Sequence, residues 1–191
     1  MSQTAEEPVT VVRPPEQFSL PGGVSLRRRA VEDAVPLNNA VAGNLEHLRP
    51  WMPWATSKPA LERTEAMIQA GIDAWEAGTD FMYLVWAEDA PGEVIGAFGL
   101  HGRVGAGALE IGYWMAASHT GRGIATDCSR VLTEAALALP HIERVEIHTD
   151  SANLASSAVP RKLGYRLAEV REQEPTAPGE SGSLQIWTQQ Q

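Results

Sequence analysis

The chain has 191 residues and a mass of 20.6 kDa, with 43% hydrophobic and 20% charged residues. This composition is that of an ordinary globular protein, and it excludes disordered, collagen-like and coiled-coil chains. With 15 Lys and Arg against 24 Asp and Glu, the formal net charge is −9, which argues against nucleic acid as a partner because phosphate binding needs a basic surface. The acidic field instead favours a cationic substrate such as an amine.

The N-terminus and the cysteine content bear on location. The acidic start lacks the basic residues and apolar run of a signal peptide, and no stretch reaches the roughly 18 apolar residues of a membrane span. Cys128 is the one cysteine, so no intramolecular disulfide can form. We therefore expect a cytoplasmic protein that has no membrane partner.

The hydrophobic pattern divides the chain into a leader and one domain. Residues 1–20 carry several prolines and no apolar period, which predicts a flexible leader before a single domain at 21–191. Within the domain, the periodicity predicts a strand, two helices, three meandering strands, a helix, a strand, a short helix and two strands. In that order, the elements cover residues 24–31, 32–44, 61–75, 81–86, 94–100, 109–115, 124–139, 144–149, 158–163, 165–170 and 184–188.

This order of elements predicts the fold class. It is an α/β (α+β) domain whose mixed, mostly antiparallel central sheet has about six to seven strands flanked by about four helices. Pro160 sets the start of the short helix, because a proline deep inside a helix costs roughly 3 kcal/mol. We therefore place the helix cap at Ser157, with the helix beginning at about Ala158.

A glycine turn before the long third helix is the main candidate for ligand binding. Gly121 and Gly123 directly precede the helix that begins at Ile124, where free N–H groups and the helix dipole favour an anion. A phosphate or pyrophosphate fits, with Arg122 adding a charge-assisted contact and Thr126 a hydroxyl. The alternative is a connector that only turns the chain. No P-loop pattern occurs, and Thr126 stands where a dinucleotide fingerprint needs Gly or Ala.

Two motifs resemble the GNAT superfamily of acyl-CoA N-acyltransferases. Thr120–Ala125 (TGRGIA) is similar to its pyrophosphate loop, Q/R-x-x-G-x-G/A, with Thr120 in place of Gln or Arg. Residues 153–165 are similar to its motif N-x-x-S-x-x-v-x-x-K-L-G-F, although Pro160 stands where the motif often has a tyrosine. The Arg49–Trp54 segment is similar to the RimJ/RimL-like branch, which acetylates N-terminal residues of ribosomal proteins. The resemblance covers about residues 24–188.

The resemblance implies an acetyl-CoA-dependent N-acetyltransferase with a sheet that splays at its central strands. Acetyl-CoA is then the co-substrate, and an amine, on a protein N-terminus or a small molecule, attacks the thioester directly in a ternary complex. The implied coenzyme A contacts are the pantetheine-binding strand, the pyrophosphate loop and one asparagine: Trp114, Met115, Gly121, Arg122, Gly123, Ile124, Ala125, Thr126 and Asn153. A non-catalytic acyl-CoA-binding regulatory module is the alternative, which the departures at Thr120 and Pro160 favour.

Amine attack on a thioester needs a base, a polarised carbonyl and a proton for the leaving thiolate. Glu110 is the predicted base, acting directly or through a water, because this carboxylate lies in the central strand one step from the splay; its alternative is a solvent-facing strand residue. Ser156 is predicted to protonate the thiolate or orient a water, with helix capping as its alternative. Trp51 and Trp54 are predicted to line the acceptor groove, or to be core residues.

The remaining chemistry-bearing residues are weaker candidates. His119 is a candidate base or phosphate contact, and His148 with Asp150 resembles a dyad, but the absence of G-x-S-x-G disfavours a hydrolase. Cys128 falls on an apolar helical face, which is typical of a buried, inert thiol. No clustered ligand spacing indicates a metal site. Exposed strand edges and Trp187 leave a homodimer open.

Overall fold

A computed structural model describes residues 12–191, and an eight-stranded sheet runs through it. The strands are β1 (Gln17–Leu20), β2 (Val24–Arg28), β3 (Asp80–Ala87), β4 (Val94–His101), β5 (Ala108–Met115), β6 (Arg144–Asp150), β7 (Arg166–Glu172) and β8 (Ser183–Gln190). The α-helices are α1 (Ala34–Gly43), α2 (Leu45–Leu48), α3 (Leu61–Ala77), α4 (Ile124–Leu137) and α5 (Leu154–Lys162). The mixed, mostly antiparallel sheet confirms the predicted fold class.

The centre of the sheet contains its one parallel contact among the described residues. The strand order is β1-β2-β3-β4-β5-β6-β8-β7, and every neighbouring pair except β5 and β6 is antiparallel. β5 and β6 pair over only three positions, from Ala108 opposite Arg144 to Glu110 opposite Glu146. Beyond Glu110, β5 pairs with β4 alone and β6 pairs with β8 alone. The two central strands therefore separate and open a wedge in the sheet.

Helices cover both faces of the sheet, and each buries an apolar stripe. The helix α4 has apolar residues at helical spacing, and its buried members pack in one cluster with residues of β4, β5 and β6. A second cluster joins α1 and α3 to the other face, over β3 and β4. Fully burying each large apolar side chain contributes about 1.5–3 kcal/mol, so these two layers fix the sheet and hold the wedge in place.

The sheet is larger than predicted. Residues 17–20, assigned to the leader, form β1 and pair with β2 from Gln17 opposite Arg27 to Leu20 opposite Val24. Its four residues are too few to show a clear hydrophobic period. Residues 1–11 of the predicted leader lie outside the described residues. The predicted helix at 32–44 is divided into a 3₁₀ turn, Val31–Asp33, followed by α1, and α2 follows as a separate short helix.

The helix α5 begins earlier than predicted. Asn153, rather than Ser157, is its N-cap, because the Asn153 side chain accepts a hydrogen bond from the Ser156 N–H at 3.1 Å. Pro160 therefore lies inside the helix and leaves the Ser156 carbonyl without its helical N–H partner. The Tyr113 hydroxyl donates to that carbonyl at 3.2 Å and replaces the missing bond. A tertiary contact thus makes an internal proline tolerable.

The strand β8 also corrects one prediction. Trp187 is only 6% exposed and lies under the Arg161 guanidinium, 5.4 Å from the ring centre. Its ring is covered within the chain, so the prediction that Trp187 is available for a dimer contact is wrong. Within residues 12–191, no helix has both the length and the apolar content to cross a membrane.

Asp150, at the end of β6, ties the loop between β7 and β8 to the rest of the sheet. Its carboxylate accepts hydrogen bonds from the backbone N–H groups of Ala152, Ser181 and Gly182 at 2.8–3.0 Å, and from the Ser181 hydroxyl at 2.8 Å. Burial alone would raise the pKa of Asp150, but these donors outweigh it and hold the pKa below its ordinary value.

We predict that Asp150→Ala lowers the free energy of unfolding by roughly 3 kcal/mol, because buried donors lose a charged acceptor. Between the depressed folded-state pKa and the ordinary value of about 4, the unfolded chain binds more protons, so acidification through this window destabilises the wild type. The variant loses that part of the pH dependence. Urea denaturation at several pH values measures both effects, with Asp73→Ala on the exposed face of α3 as the control. Equal stability of the two variants would contradict the prediction.

Candidate active site

Two cavities meet where β5 and β6 separate. The first lies against the start of α4 and one side of α5. The second lies on the sheet face that carries Glu110 and Gly112. Six residues line both cavities: Trp51, Met52, Tyr113, Trp114, Asn153 and Ser156. A ligand in the first cavity and a ligand in the second would therefore approach each other at the wedge.

The glycine turn forms the floor of the first cavity. Gly121 and Gly123 have positive φ angles of 71° and 83°, which favour glycine, and a Cβ built on either would meet no atom within 4 Å. The open space lies before the first N–H groups of α4, which have no partner within their own helix. The arrangement leaves room for an anion against the backbone.

The structure brings most of the predicted coenzyme A contacts together. Those that line the first cavity are Trp114, Met115, Gly121, Gly123, Ile124, Ala125, Thr126 and Asn153. Arg122 is the exception, because its guanidinium pairs with Asp89 at 2.8 Å. The Thr120 hydroxyl donates to the Ala117 carbonyl at 2.9 Å, so this departure from the family loop stabilises the preceding turn.

The β5 edge of the wedge offers backbone groups to the first cavity. Residues 111–115 pair with β4, from Ile111 opposite Leu100 to Met115 opposite Gly96, but with no strand on the other side within the described chain. Alternate N–H and C=O groups of this edge thus lack a strand partner. An extended ligand that contains amides can pair with such an edge as an added strand would.

Ser156 and Tyr113 place two hydroxyl groups at the junction of the cavities. The Tyr113 hydroxyl lies 3.0 Å from the Ser156 hydroxyl and donates to the Ser156 carbonyl. The Tyr113 ring stacks on Phe98 with centroids 5.0 Å apart, and burial raises the pKa of Tyr113 to about 12. Tyr113 is therefore neutral at physiological pH. Ser156 does not cap α5, since Asn153 has that position, which removes the alternative of capping.

Glu110 lies on the floor of the second cavity and is not a solvent-facing residue. Its side chain is 10% exposed, and Arg103 binds both carboxylate oxygens at 2.7 Å. The Nδ1 atom of His148 lies 4.0 Å from Glu110 Oε2. Burial alone would raise the pKa of Glu110, but the hydrogen bonds from Arg103 and the charges of His148, Arg103 and His101 lower it further than burial raises it. Glu110 is thus an anion at neutral pH.

A row of titratable residues crosses this sheet face, and the sequence patterns did not reveal it. Asp80 on β3 lies opposite His101 on β4, His101 lies opposite Glu110, and Glu110 lies opposite Glu146 on β6. Directly opposed residues point to the same face of a sheet, so these four side chains form one line. The strand register creates this line, and register cannot be read from a single chain pattern. The sequence contains one signal, which is a titratable residue inside or directly beside each of the four predicted strands.

The two tryptophans of the α2–α3 segment differ in their surroundings. Trp51 is half-buried and lines both cavities, whereas Trp54 is 46% exposed and lines the second cavity. The core alternative therefore does not apply to Trp54. The Pro50 carbonyl accepts a hydrogen bond from the Gly179 N–H at 2.8 Å, which joins this segment to the β7–β8 loop next to Trp51 and Glu180, two residues that line the second cavity.

The weaker candidates are mostly committed to other contacts. His119 is buried and lies beside Ser118 Oγ at 2.9 Å and Asp89 at 3.5 Å. Asp150 binds its own loop, so it forms no dyad with His148. Cys128 is fully buried and its pKa is raised by burial, as predicted for an inert thiol. Among residues 12–191 there is no group of three His, Cys, Asp or Glu side chains that could hold a metal ion.

Comparisons with known proteins identify a family. A family model described as acetyltransferase (GNAT) domain matches residues 24–166, which is more than half of the chain. A sequence comparison with curated proteins finds no match. The matched residues include the wedge, the glycine turn, the whole lining of the first cavity and all of the lining of the second cavity except Glu180 and Leu184.

Solved structures share the fold. A RimL ribosomal L7/L12 α-N-protein acetyltransferase in complex with coenzyme A has a TM-score of 0.82 and 22% identity, covering 92% of this chain and 98% of that one. The microcin C7 self-immunity acetyltransferase MccE, with acetyl-CoA and AMP, has a TM-score of 0.79 and 18% identity, covering 90% and 98%. Mycobacterium smegmatis RimJ, in complex with CoA-disulfide, has a TM-score of 0.77 and 20% identity, covering 94% and 90%.

We predict that Arg103→Gln raises the pKa of Glu110, because it removes two charge-assisted hydrogen bonds and the Arg103 charge, which lower that pKa, while the carboxylate stays buried. Titration of the glutamate side-chain carbon signals by NMR measures the change. Arg130→Gln, on the exposed side of α4, is the matched control and leaves the Glu110 titration unaltered. A Glu110 pKa that stays low in Arg103→Gln would show that the ion pair does not set its charge.

Proposed function

Because the chain belongs to the GNAT acetyltransferase family, we propose that it transfers the acetyl group of acetyl-CoA to an amine by direct attack in a ternary complex. The observation that carries the proposal is the meeting of two cavities at the open edge of β5. One cavity has an anion-binding turn and the other contains a buried carboxylate. A thioester and an amine bound separately would therefore come together at the wedge.

The donor fits the first cavity in three parts. Its pyrophosphate lies on the N–H groups at the turn of Gly121 and Gly123, and its pantetheine amides pair with the free edge of β5 at Trp114 and Met115. A backbone N–H near Met115 polarises the thioester carbonyl as negative charge develops on its oxygen. Asn153 stabilises the start of α5 beside the same cavity. The neighbours that hold coenzyme A or acetyl-CoA support this assignment.

The acceptor lies in the second cavity and carries the amine. Trp51 and Trp54 form its wall, and Glu110 faces the ammonium as an anionic partner. The amine loses one proton, its nitrogen attacks the carbonyl carbon, and the carbon–sulfur bond breaks as the amide forms. The thiolate takes the second nitrogen proton, with Ser156 as the hydroxyl that relays it. The role of Glu110 as base, directly or through a water, stays a prediction.

The acceptor class is an amine on a protein N-terminus or a small molecule. The net charge of −9 favours a cationic acceptor, and Glu110 provides a local site for it. One structural neighbour is an α-N-protein acetyltransferase of ribosomal L7/L12, which supports peptide N-termini as the first acceptors to examine. The cytoplasmic location also stays a prediction.

We predict that Gly123→Ala weakens coenzyme A binding by about tenfold or more. The added Cβ strains a positive-φ residue by roughly 1–2 kcal/mol and occupies the space in which we place the pyrophosphate. Isothermal titration calorimetry measures the change. Gly105→Ala is the control, because Gly105 also has a positive φ and open surroundings but lies on the exposed β4–β5 loop. An equal loss in both variants would mean that strain alone is responsible.

Thiol release from acetyl-CoA, measured over a panel of amines and N-terminal peptides, tests the proposed activity. We expect turnover with at least one acceptor, and a Glu110→Gln variant that binds acetyl-CoA normally but transfers at least about tenfold more slowly. Asp73→Gln is the control for a lost surface carboxylate. Binding without turnover on any acceptor would favour the regulatory module instead, and the absence of both would exclude the donor site.

A further inference from the structure

The second cavity contains a histidine that the sequence motifs do not mark. His101, at the end of β4, lines this cavity with a side chain that is 17% exposed. Its Nδ1 atom lies 3.0 Å from Asp80 Oδ1, on the neighbouring strand. Its Nε2 atom has no hydrogen-bond partner among residues 12–191. One nitrogen is thus oriented by a carboxylate, and the other is free.

Two opposed glycines leave the space that the ring occupies. Gly99 on β4 lies opposite Gly112 on β5, and a Cβ on Gly99 would lie 2.5 Å from His101 Nε2, with one on Gly112 at 3.2 Å. The imidazole therefore covers the two glycines and extends along the sheet from the Glu110 position towards the wedge. Trp114, at the proposed thioester position, is one two-residue step beyond Gly112, about 7 Å along the strand.

The charges around His101 favour a neutral ring that accepts a proton. Asp80 on β3 and Glu110 on β5 face it as carboxylates, and Arg103 in the β4–β5 loop faces it as a cation. Burial lowers the pKa of His101 and the Arg103 charge lowers it further, while the two carboxylates act in the opposite direction with a smaller combined effect. With Nδ1–H donating to Asp80, the neutral ring carries its lone pair on Nε2.

Glu110 and His148, which also line this cavity, are less suited than His101 to take a proton from a ligand. Arg103 holds Glu110 by both oxygens, and the resulting depressed pKa makes that carboxylate a weak base. His148 has its Nε2 atom 2.6 Å from Glu146 and its Nδ1 atom 4.0 Å from Glu110. The 4.0 Å contact is too long for a hydrogen bond, so His148 Nδ1 faces the Glu110 carboxylate without bonding to it, whereas no carboxylate of the described residues lies within 4.0 Å of His101 Nε2.

We propose that His101, oriented by Asp80, is the catalytic base that takes the proton from the acceptor ammonium, in place of Glu110, the base predicted from the sequence, and that Glu110 attracts the ammonium by its charge. This inference rests on the proposed acetyl transfer. The N–H bond of the ammonium breaks, its electron pair stays on nitrogen and then forms the bond to the carbonyl carbon. The proton forms a bond to His101 Nε2, and the imidazolium between Asp80 and Glu110 later releases it to solvent. The second nitrogen proton goes to the thiolate, as the carbon–sulfur bond breaks.

The pH dependence of kcat/KM tests the proposal, with acetyl-CoA saturating and the best acceptor of the panel. In the wild type, we expect kcat/KM to fall towards acidic pH, and this acidic limb of the pH profile has its midpoint below the ordinary histidine pKa of about 6.5. In His101→Gln, we expect kcat to fall about 10²–10⁴-fold, acetyl-CoA affinity to stay unchanged and the limb to move to the acceptor's own pKa. His141→Gln, which removes an exposed histidine before β6, leaves rate and profile unaltered. A limb that persists in His101→Gln would overturn the proposal.

Variants of Asp80 and Glu110 test whether these carboxylates act as the base or only influence the pKa of His101. Glu110→Gln and Asp80→Asn each remove a charge that raises the His101 pKa, so both move the limb to lower pH and keep it. A limb that vanishes in Glu110→Gln would instead make Glu110 the base. In His101→Gly, added imidazole restores part of the rate if the lost function is proton transfer. An absence of rescue, together with reduced acetyl-CoA binding, would indicate a structural role and contradict the proposal.

Gly99→Ala gives a second test that leaves His101 in the chain. The new methyl group displaces the imidazole, because it would otherwise lie 2.5 Å from Nε2 and 2.8 Å from Met82 Sδ. We expect slow transfer with normal acetyl-CoA binding, whereas Gly43→Ala, which meets no atom within 4 Å, behaves as wild type. If the wild type transfers the acetyl group and the His101→Gln variant is equally active, this inference is refuted and the proposed function is not. If the wild type acetylates no acceptor of the panel, both the proposed function and this inference are refuted.

Discussion

The arrangement of this protein depends on the point at which two parallel strands stop pairing. β5 and β6 form three residue pairs and then separate, while each keeps its antiparallel neighbour on the other side. Unpaired backbone groups in a sheet are costly unless a ligand, water or another chain segment pairs with them. The wedge is therefore an opening whose edge fits an extended amide ligand. The glycine turn, the start of α5 and the sheet face with Glu110 all surround this one opening.

The two sides of the wedge use different physical chemistry. On the first side, backbone N–H groups and a helix terminus face the cavity, and the glycines keep that space clear. On the second side, the cross-strand row of Asp80, His101, Glu110 and Glu146 brings ionisable side chains to a largely buried surface. Charges in such a place are retained only when they are paired, which Arg103 does for Glu110. In the proposed reaction, the group that binds the anion and the group that takes the proton therefore lie on different sides of the wedge.

The local patterns predicted much of the fold. The strands β3, β4 and β5 come from apolar runs bounded by turn residues, and the helix α4 has apolar residues at a period of 3.6, and the structure has all four close to the predicted bounds. β1 was missed because four residues carry too little periodicity. The predicted start of α5 is too late in the chain, because the sequence shows Pro160 but not the distant Tyr113 hydroxyl that compensates for it. Contacts between residues far apart in the chain decide such cases.

The residues of the candidate site also fall into those that local sequence patterns predict and those that depend on contacts between distant parts of the chain. Gly121, Gly123 and Asn153 belong to contiguous motifs, and all three line one cavity. Glu110 was selected by its place in a strand, but its ion pair with Arg103 depends on the course of the β4–β5 loop. His101 and Asp80 belong to no motif, and they meet only because β3 and β4 are in one particular register. Side chains that act together across strands become visible only when that register is known.

The internal proline of α5 has a consequence for how motif residues are compared between proteins. In this chain, the carbonyl of Ser156 is available to Tyr113 because residue 160 has no N–H to donate. A change of Pro160→Tyr would bring the chain nearer to the common motif, yet it would give that carbonyl a helical partner and compete with the strand tyrosine. The residue at position 160 and the hydroxyl on a distant strand are thus coupled, and a change at position 160 also alters the hydrogen bonding of Tyr113.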